Sequence, residues 1–260
     1  MANQPELKTL AYETVRDYVL DGVYAPGQVV GEEELARRLA ISRTPVRAAL
    51  DRLAMEGLVR AVRGSGFIVE ELTARTLREV FEFRQAVETF AVRHGQPLSE
   101  ASRAARLLPL FEVYAVIDED PSWPEQVLLT TSDSVFHRDI MDTLDNRIMS
   151  EMHRRQLEFR TEHLQGSVWG KQSNARVGAS GHLAIGRALL AGHRDAAETE
   201  LTAHLSLGLT HITEASSRHV SERYRELARR IEALLMTWLG SPDDERTASA
   251  FIDTVRGLVS

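Results

Sequence analysis

The sequence contains no cysteine among its 260 residues. This absence excludes disulfide bonds, thiolate metal sites and thiol nucleophiles at once. No apolar run is long enough to predict a transmembrane helix, and the N-terminal residues lack the basic and then apolar order of a signal peptide. Internal repeats and low-complexity tracts are also missing. These absences predict a soluble, cytoplasmic protein.

The chain is long enough for two domains, and its 43% hydrophobic content is enough for packed cores. Its formal net charge of -7 argues against a nucleic-acid partner until the charge is divided by region. Residues 43–63 hold five Arg against two acidic residues, a local net charge of +3. A local basic surface is sufficient for DNA contact, while the acidity elsewhere limits non-specific adhesion.

Residues 42–58 have the pattern of a short helix with one apolar and one basic side. Thr44 is suited to cap its N-terminus, and Pro45 fits the first turn, where a missing N–H does no harm. The apolar side comprises Val46, Ala49, Leu50, Leu53 and Ala54. The arginines lie at the entry or away from that side: Arg43, Arg47 and Arg52. This build is typical of a recognition helix in the major groove.

The flanking segments predict the rest of a winged helix-turn-helix. A short helix with an acidic first turn starts near Glu32, and Ile41 lies in the tight turn that follows it. Gly57 ends the recognition helix, after which residues 58–69 predict two short strands around a Gly-rich hairpin. We expect Arg63, at the tip of this wing, to reach phosphate or the minor groove.

Together these motifs resemble the DNA-binding domain of GntR-type bacterial transcriptional regulators. The shared segments are Pro26-Gly27, Glu32 to Leu35, Ser42 to Arg47, Glu56 to Val59 and Gly64 to Gly66. The resemblance implies DNA contacts by Ser42, Arg43, Thr44, Arg47, Arg63, Gly64 and Gly66. Ala40 and Ala48 stand where many relatives have Gly and Glu, and we expect neither to read bases.

From residue 73 onward, apolar residues recur at spacings of three and four, which predicts an all-helical bundle. Helices are expected around residues 77–91, 101–111, 127–140, 149–159, 176–191 and 194–217. Two further amphipathic helices follow, the second capped at Ser241. The expected fold class is mainly α, with a small β wing. The expected domains are a winged helix-turn-helix at 1–72, an effector-binding bundle at 73–217, and added helices at 218–260.

Four residues of the helical part carry ligand chemistry. Asp133 and His137 are four residues apart on one predicted helix, so they point from the same face. His182 and His204 lie on consecutive helices, which an antiparallel return brings together. One carboxylate and three imidazoles suit Zn, Ni or Mn, with positions left for water or an anionic ligand. From the residues alone, a surface Asp and His pair without a metal remains the alternative.

Residues 78–217 resemble the FCD effector domain of the FadR-like branch of the same family. The resemblance rests on Arg84 with Glu88, on Asp133 to Arg138, and on His182 followed by His204. In metal-binding FCD domains the corresponding Asp and three His hold the metal. A divalent metal, Zn before Ni or Mn, is therefore implied at Asp133, His137, His182 and His204.

The same resemblance implies a small organic acid as effector, whose carboxylate or hydroxyl completes the metal shell. Arg84 is the expected counter-charge, and an intrahelical pair with Glu88 is its alternative role. The remaining histidines match no motif and are expected at the surface or in the core: His94, His153, His163, His193, His211 and His219.

The leading hypothesis is a non-enzymatic transcriptional regulator that binds an inverted-repeat operator as a homodimer. A carboxylate effector changes its operator affinity through differential contacts in two states. One alternative is a metal-dependent enzyme that uses the Asp/His cluster, although no general base or nucleophile is evident. Another is a helical interaction module, which predicts no salt-dependent affinity for DNA.

Overall fold

The computed structural model describes residues 4–20, 22–63, 66–70, 73–164, 172–213, 222–240 and 247–258. In these residues the chain forms eleven helices and three short strands, in two compact units that divide between Thr73 and Ala74. The mainly α fold class is therefore confirmed. Within the same ranges, no helix has both the length and the apolar composition needed to cross a bilayer.

The first unit is a helix-turn-helix followed by a wing. Its elements are α1 (Gln4–Leu20), β1 (Val29–Val30), α2 (Glu32–Leu39), α3 (Arg43–Met55), β2 (Val59–Val62) and β3 (Gly66–Val69). Strand β3 lies in the middle of the sheet, antiparallel to both β1 and β2. Phe67 and Val69 are buried while Ile68 is only half-buried, so the predicted alternation is confirmed.

The start of α3 differs from the prediction. Its N-cap is Ser42 in extended conformation, and not Thr44, so the helix already begins at Arg43. Pro45 still lies in the first turn, where backbone N–H groups have no partner within the helix. Proline therefore removes no helical hydrogen bond there, even though it is not the first residue of the helix. The consequence is that Arg43 and Thr44 belong to the first turn of the helix.

The turn between α2 and α3 is held by Ala40 in a left-handed conformation, with φ 53° and ψ 37°. This conformation costs a residue with a Cβ roughly 1–2 kcal/mol, and glycine avoids that cost. Part of the gain is offset, because glycine also raises the conformational entropy of the unfolded chain. We expect Ala40→Gly to raise the free energy of unfolding by about 0.5–1 kcal/mol, measured by urea denaturation. Ala48→Gly, inside α3, should lower it by about 1 kcal/mol. A loss of stability in Ala40→Gly contradicts this account.

The second unit is all-helical. Its elements are α4 (Ala74–His94), α5 (Arg103–Ala115), α6 (Trp123–Asp142), α7 (Arg147–Leu164), α8 (Gln172–Leu190), α9 (Arg194–Thr213), α10 (Glu222–Gly240) and α11 (Ala248–Arg256). Helix α4 packs against α6, α7 and α9, while α8 packs against α5 and α9. Helix α11 packs against α5 and α6, where Arg256 donates to Glu125 at 2.9 Å. This packing brings α4, α6, α8 and α9 around one interior.

Helix α6 begins earlier than the apolar pattern predicted. Its N-cap is Ser122, which forms a capping box with Glu125, so the helix starts at Trp123 and not near residue 127. Proline is well tolerated in a first turn, so Pro124 belongs to the helix start. The longer helix gives Asp133 and His137 a central position along it.

Several predicted features lie outside the described residues. They are Gly64 at the wing tip, the end of the helix predicted to reach 217, and the cap at Ser241. The last described helix begins at Ala248, and the side chain of Thr247 caps it by accepting from the amide of Ala250.

Candidate metal centre and nucleic-acid interface

The outer side of α3 carries the predicted DNA-contacting residues. The helix is held from behind by buried Val46, Ala49, Leu50 and Leu53. The side chains of Arg43 and Arg47 are 65% and 52% exposed. Ser42 and Thr44 are exposed beside them. Both guanidinium groups are therefore accessible to base edges or phosphates.

Acidic neighbours orient the two arginines. Arg47 forms an ion pair with Glu32 of α2, and its Nε donates to Oδ2 of Asp51 at 3.2 Å. Arg43 Nη2 lies 3.6 Å from Oε2 of the same Glu32. The Arg47 guanidinium also lies 4.9 Å from the centroid of the Phe67 ring. Because exposed ion pairs contribute little stability, both arginines can exchange these carboxylates for a DNA group at small cost.

The wing presents Arg63 at its tip, where the residue is exposed. Gly66 has φ +89°, and a Cβ at this position would lie 3.1 Å from the carbonyl oxygen of Val30. Gly66 therefore has a structural role in closing the wing, in addition to the predicted contact with DNA.

The four predicted metal ligands converge in the second unit. One ligand atom from each of Asp133, His137, His182 and His204 lies within 4.8 Å of the others. His182 Nε2 is 3.3 Å from His137 Nε2 and 3.4 Å from Asp133 Oδ1, and His137 Nε2 is 3.7 Å from that oxygen. Two ligands at about 2.0–2.2 Å from one ion are roughly 3.0–3.6 Å apart. The spacing of Asp133, His137 and His182 is therefore close to that of ligands sharing one divalent ion, and the ligand atom of His204 lies within 4.8 Å of theirs.

Glu88 of α4 orients one of these ligands. Its Oε2 lies 2.7 Å from Nδ1 of His137. Burial raises the pKa of Glu88, but Arg84 and then His137 lower it well below its ordinary value. Glu88 is thus a carboxylate that only accepts, so His137 donates from Nδ1 and directs the lone pair of Nε2 to the centre.

The histidines of the centre are neutral at neutral pH. Burial lowers the pKa of His182 to about 4. Burial also lowers the pKa of His137, and it lowers the pKa of His204 well below the ordinary value. Metal ions bind the neutral imidazole, so no proton competes for these nitrogens near pH 7. The group could hold a divalent metal ion.

Arg84 lies beside the centre and is only 1% exposed. Its Nε donates to Oε1 of Glu88 at 2.8 Å, so the intrahelical pair that the sequence left as an alternative does form. Its Nη2 has no hydrogen-bond partner among the described residues. A guanidinium can bind two acceptors side by side, so the pair with Glu88 leaves this donor for an anion.

His153 of α7 belongs to the same buried network, although no motif marks it. It is fully buried, and its Nε2 lies 2.8 Å from Oε1 of Glu88. The only signal in the sequence is its spacing of four residues from Leu157, which is also buried and shares the inner face of α7.

Comparisons with known proteins match both units. Residues 7–69 match the family of bacterial regulatory proteins named gntR, and residues 79–207 match the FCD domain. The Nta operon transcriptional regulator of Aminobacter aminovorans is 43% identical over 70 residues, which cover 27% of this chain and 33% of that protein. The uncharacterized HTH-type regulator Rv0494 of Mycobacterium tuberculosis is 27% identical over 232 residues, covering 83% of this chain and 90% of that protein.

A solved structure from Rhodococcus sp. RHA1, assigned as a GntR transcriptional regulator, aligns with a TM-score of 0.57 at 26% identity. It covers 80% of this chain and 98% of that one. The alignments to the first three curated relatives span between 33% and 46% of their lengths. With both of its units matched, the chain belongs to the GntR family of bacterial regulatory proteins and carries an FCD domain.

Proposed function

We propose that this chain is a transcriptional regulator that binds DNA through α3 and the wing and responds to a small acid bound in its FCD domain. The observation that carries the proposal is the exposure of Arg43 and Arg47 at the N-terminal end of a helix packed from behind. Arginine forks match the acceptor pair of guanine in the major groove. The curated relatives named above are regulators, which favours a non-enzymatic role.

The remaining contacts divide by type. Ser42 and Thr44 are suited to phosphate oxygens beside the recognition helix, and Arg63 with Gly64 and Gly66 brings the wing to phosphate or the minor groove. A homodimer places two such helices on a twofold axis, so the operator is an inverted repeat.

The centre of the FCD domain binds a divalent metal through Asp133, His137, His182 and His204. Zn is the first choice and Ni or Mn the next, because three neutral imidazoles and one carboxylate at this spacing suit Zn. When bound, the metal supplies a positive charge to which a carboxylate can bind. Among the chain's own residues, Glu88 holds the ring of His137, and Arg84 offers Nη2 as a second anchor for the acid.

The effector changes the DNA affinity only if it binds one conformational state of the protein more tightly than the other, where the two states differ in their affinity for DNA. Arg84 lies on α4, the first helix after the wing along the chain. An acid bound to this helix therefore acts on the element that directly continues from the DNA-binding unit in sequence.

The test is a selection of bound duplexes from a random DNA library by the full chain at physiological salt. We expect an inverted repeat whose half-sites lie about one helical turn apart, with an affinity that falls steeply as salt rises. Repeating the binding measurement with a panel of carboxylic acids should change the affinity of the metal-loaded protein, while the metal-stripped protein responds less. Recovery of no enriched sequence, together with salt-independent binding, would favour the interaction-module alternative.

A further inference from the structure

Glu32, at the start of α2, pairs with both arginines that the outer side of α3 presents. Its Oε1 accepts from Nη1 of Arg47, and its Oε2 lies 3.6 Å from Nη2 of Arg43. The side chain of Glu32 is only 15% exposed, whereas those of Arg43 and Arg47 are 65% and 52% exposed. One carboxylate from a neighbouring helix therefore holds two guanidinium groups that lie at the surface.

The place of Glu32 in α2 keeps its carboxylate at this surface. Glu32 is the first residue of the helix, directly after the N-cap Gly31. The positive end of the helix dipole stabilises a negative charge in this first turn. The arginines, by contrast, have long side chains that can turn toward other anions. An anion that attracts them therefore takes them from a carboxylate that stays behind.

Arg47 can bind a base while it keeps its carboxylate partners. A guanidinium has five N–H groups. Asp51 accepts from the one on Nε, and Glu32 accepts from one on Nη1, so three remain for a base, two of them on Nη2. The O6 and N7 acceptors of guanine are neutral and add no negative charge beside Glu32. Reading a guanine is therefore compatible with the pair between Arg47 and Glu32.

A phosphate competes with Glu32 for the same arginines. An arginine that turns to the DNA backbone leaves the carboxylate without its partner, next to phosphates. Breaking an exposed ion pair costs little in the free protein, but the released carboxylate then meets a like charge that guanine does not bring. An unpaired charge set against the wrong partner is one way in which a binding surface gains specificity.

We propose that Glu32 is a specificity-determining residue that limits binding to non-operator DNA by holding Arg43 and Arg47 away from phosphates. The proposal rests on the proposed function, in which both arginines face DNA. It assigns part of the preference for operator to an acidic residue outside the recognition helix. Removal of this carboxylate should therefore strengthen, and not weaken, the binding of DNA that lacks the operator.

The test is Glu32→Gln in the full chain, measured by fluorescence anisotropy on the selected operator and on a scrambled duplex. Glu33→Gln is the matched control, because it removes the same charge from an exposed residue of the same helical turn. Glu32→Gln should tighten binding to the scrambled duplex by about fivefold, while operator binding changes by less than about twofold, so the preference for operator falls. Glu33→Gln should change both affinities by one small factor and keep the preference.

The salt dependence identifies the arginines as the groups that Glu32 holds. Each phosphate contact contributes about 0.9 to the slope of log affinity against log salt concentration. With Arg43 and Arg47 turned to phosphates, Glu32→Gln should steepen this slope on the scrambled duplex by about one to two per copy of the chain, and Glu33→Gln should leave it unchanged. In a background of Arg43→Ala with Arg47→Ala, Glu32→Gln should have no larger effect than Glu33→Gln, because the residues that it acts through are gone.

The outcomes separate the inference from the proposed function. A preference for operator that survives in Glu32→Gln overturns the inference alone, as does a weaker operator affinity without tighter binding to the scrambled duplex. If Glu32→Gln does not fold, as judged by thermal melting, Glu32→Ala must show the same fall in preference, and an unchanged preference there has the same meaning. A wild-type chain with neither a preferred sequence nor salt-dependent binding removes the proposed function and the inference together.

Discussion

Arg47→Ala is expected to weaken binding to the selected operator by about tenfold or more per half-site. A bidentate Arg contact with guanine is worth about 1–3 kcal/mol of discrimination, and a homodimer loses one contact in each half-site. Arg47 is exposed on α3, where it forms ion pairs with Glu32 and Asp51 and lies over the ring of Phe67. The measurement is fluorescence anisotropy with operator and scrambled duplexes over a range of salt. The affinity for operator should fall much more than the affinity for the scrambled duplex.

Two further variants separate base reading from simple charge. Arg47→Lys keeps the charge but loses the fork, so it should recover non-specific binding and not the preference for operator. Arg75→Ala removes the same charge from an exposed residue of α4, outside the DNA-binding unit, and should leave operator affinity unchanged. Equal losses on operator and scrambled DNA would assign Arg47 to phosphate, and no loss on either would remove Arg47 from the interface.

The DNA-binding unit was largely predictable because its signals are local. The apolar spacing of Val46, Leu50 and Leu53 sets the face of α3 that packs, and it leaves the arginines outside. The start of the helix was predicted wrongly, because Ser42, Thr44 and Pro45 are all acceptable near an N-terminus and local preference does not rank them. The pairing of β1 with β3 was not predicted either, since it joins residues far apart in the chain.

The candidate centre was predictable only in part. Asp133 and His137 share a helix face by spacing alone, and an antiparallel return of consecutive helices predicts that His182 and His204 meet. The spacing left a metal-free surface pair as the alternative, and the family resemblance was needed to favour a metal site. The approach of His153 to Glu88 depends on how α7 packs against α4, and no short-range pattern encodes it. The same limit applies to Gly181, whose importance appears only when the ring of His204 lies against it.

Gly181→Ala is expected to abolish metal binding although it removes no ligand atom. A Cβ at this position would lie 2.5 Å from Nδ1 of His204, closer than Cβ atoms approach in packed proteins, and 3.2 Å from Cγ, which is tighter than most Cβ contacts. Relief of this overlap must move the ring of His204 or the turn of α8 that carries His182. Metal sites tolerate only small errors in ligand distance, so either shift disrupts the arrangement of the four proposed ligands.

The loss in Gly181→Ala should therefore equal the loss in His182→Ala, from stoichiometric metal to almost none, by elemental analysis of protein purified without an affinity tag. Ser180→Ala changes the exposed residue next to Gly181, and His193→Ala removes an exposed imidazole between α8 and α9; both variants should keep the metal. Because bound metal stabilises the folded state by mass action, the two defective variants should also lose the melting shift that added metal gives the wild type. Full metal content in His182→Ala would refute the four-residue centre. Full metal content in Gly181→Ala, with loss in His182→Ala, would instead remove only His204 from the proposed centre, since His204 is the ligand whose ring the new methyl group displaces.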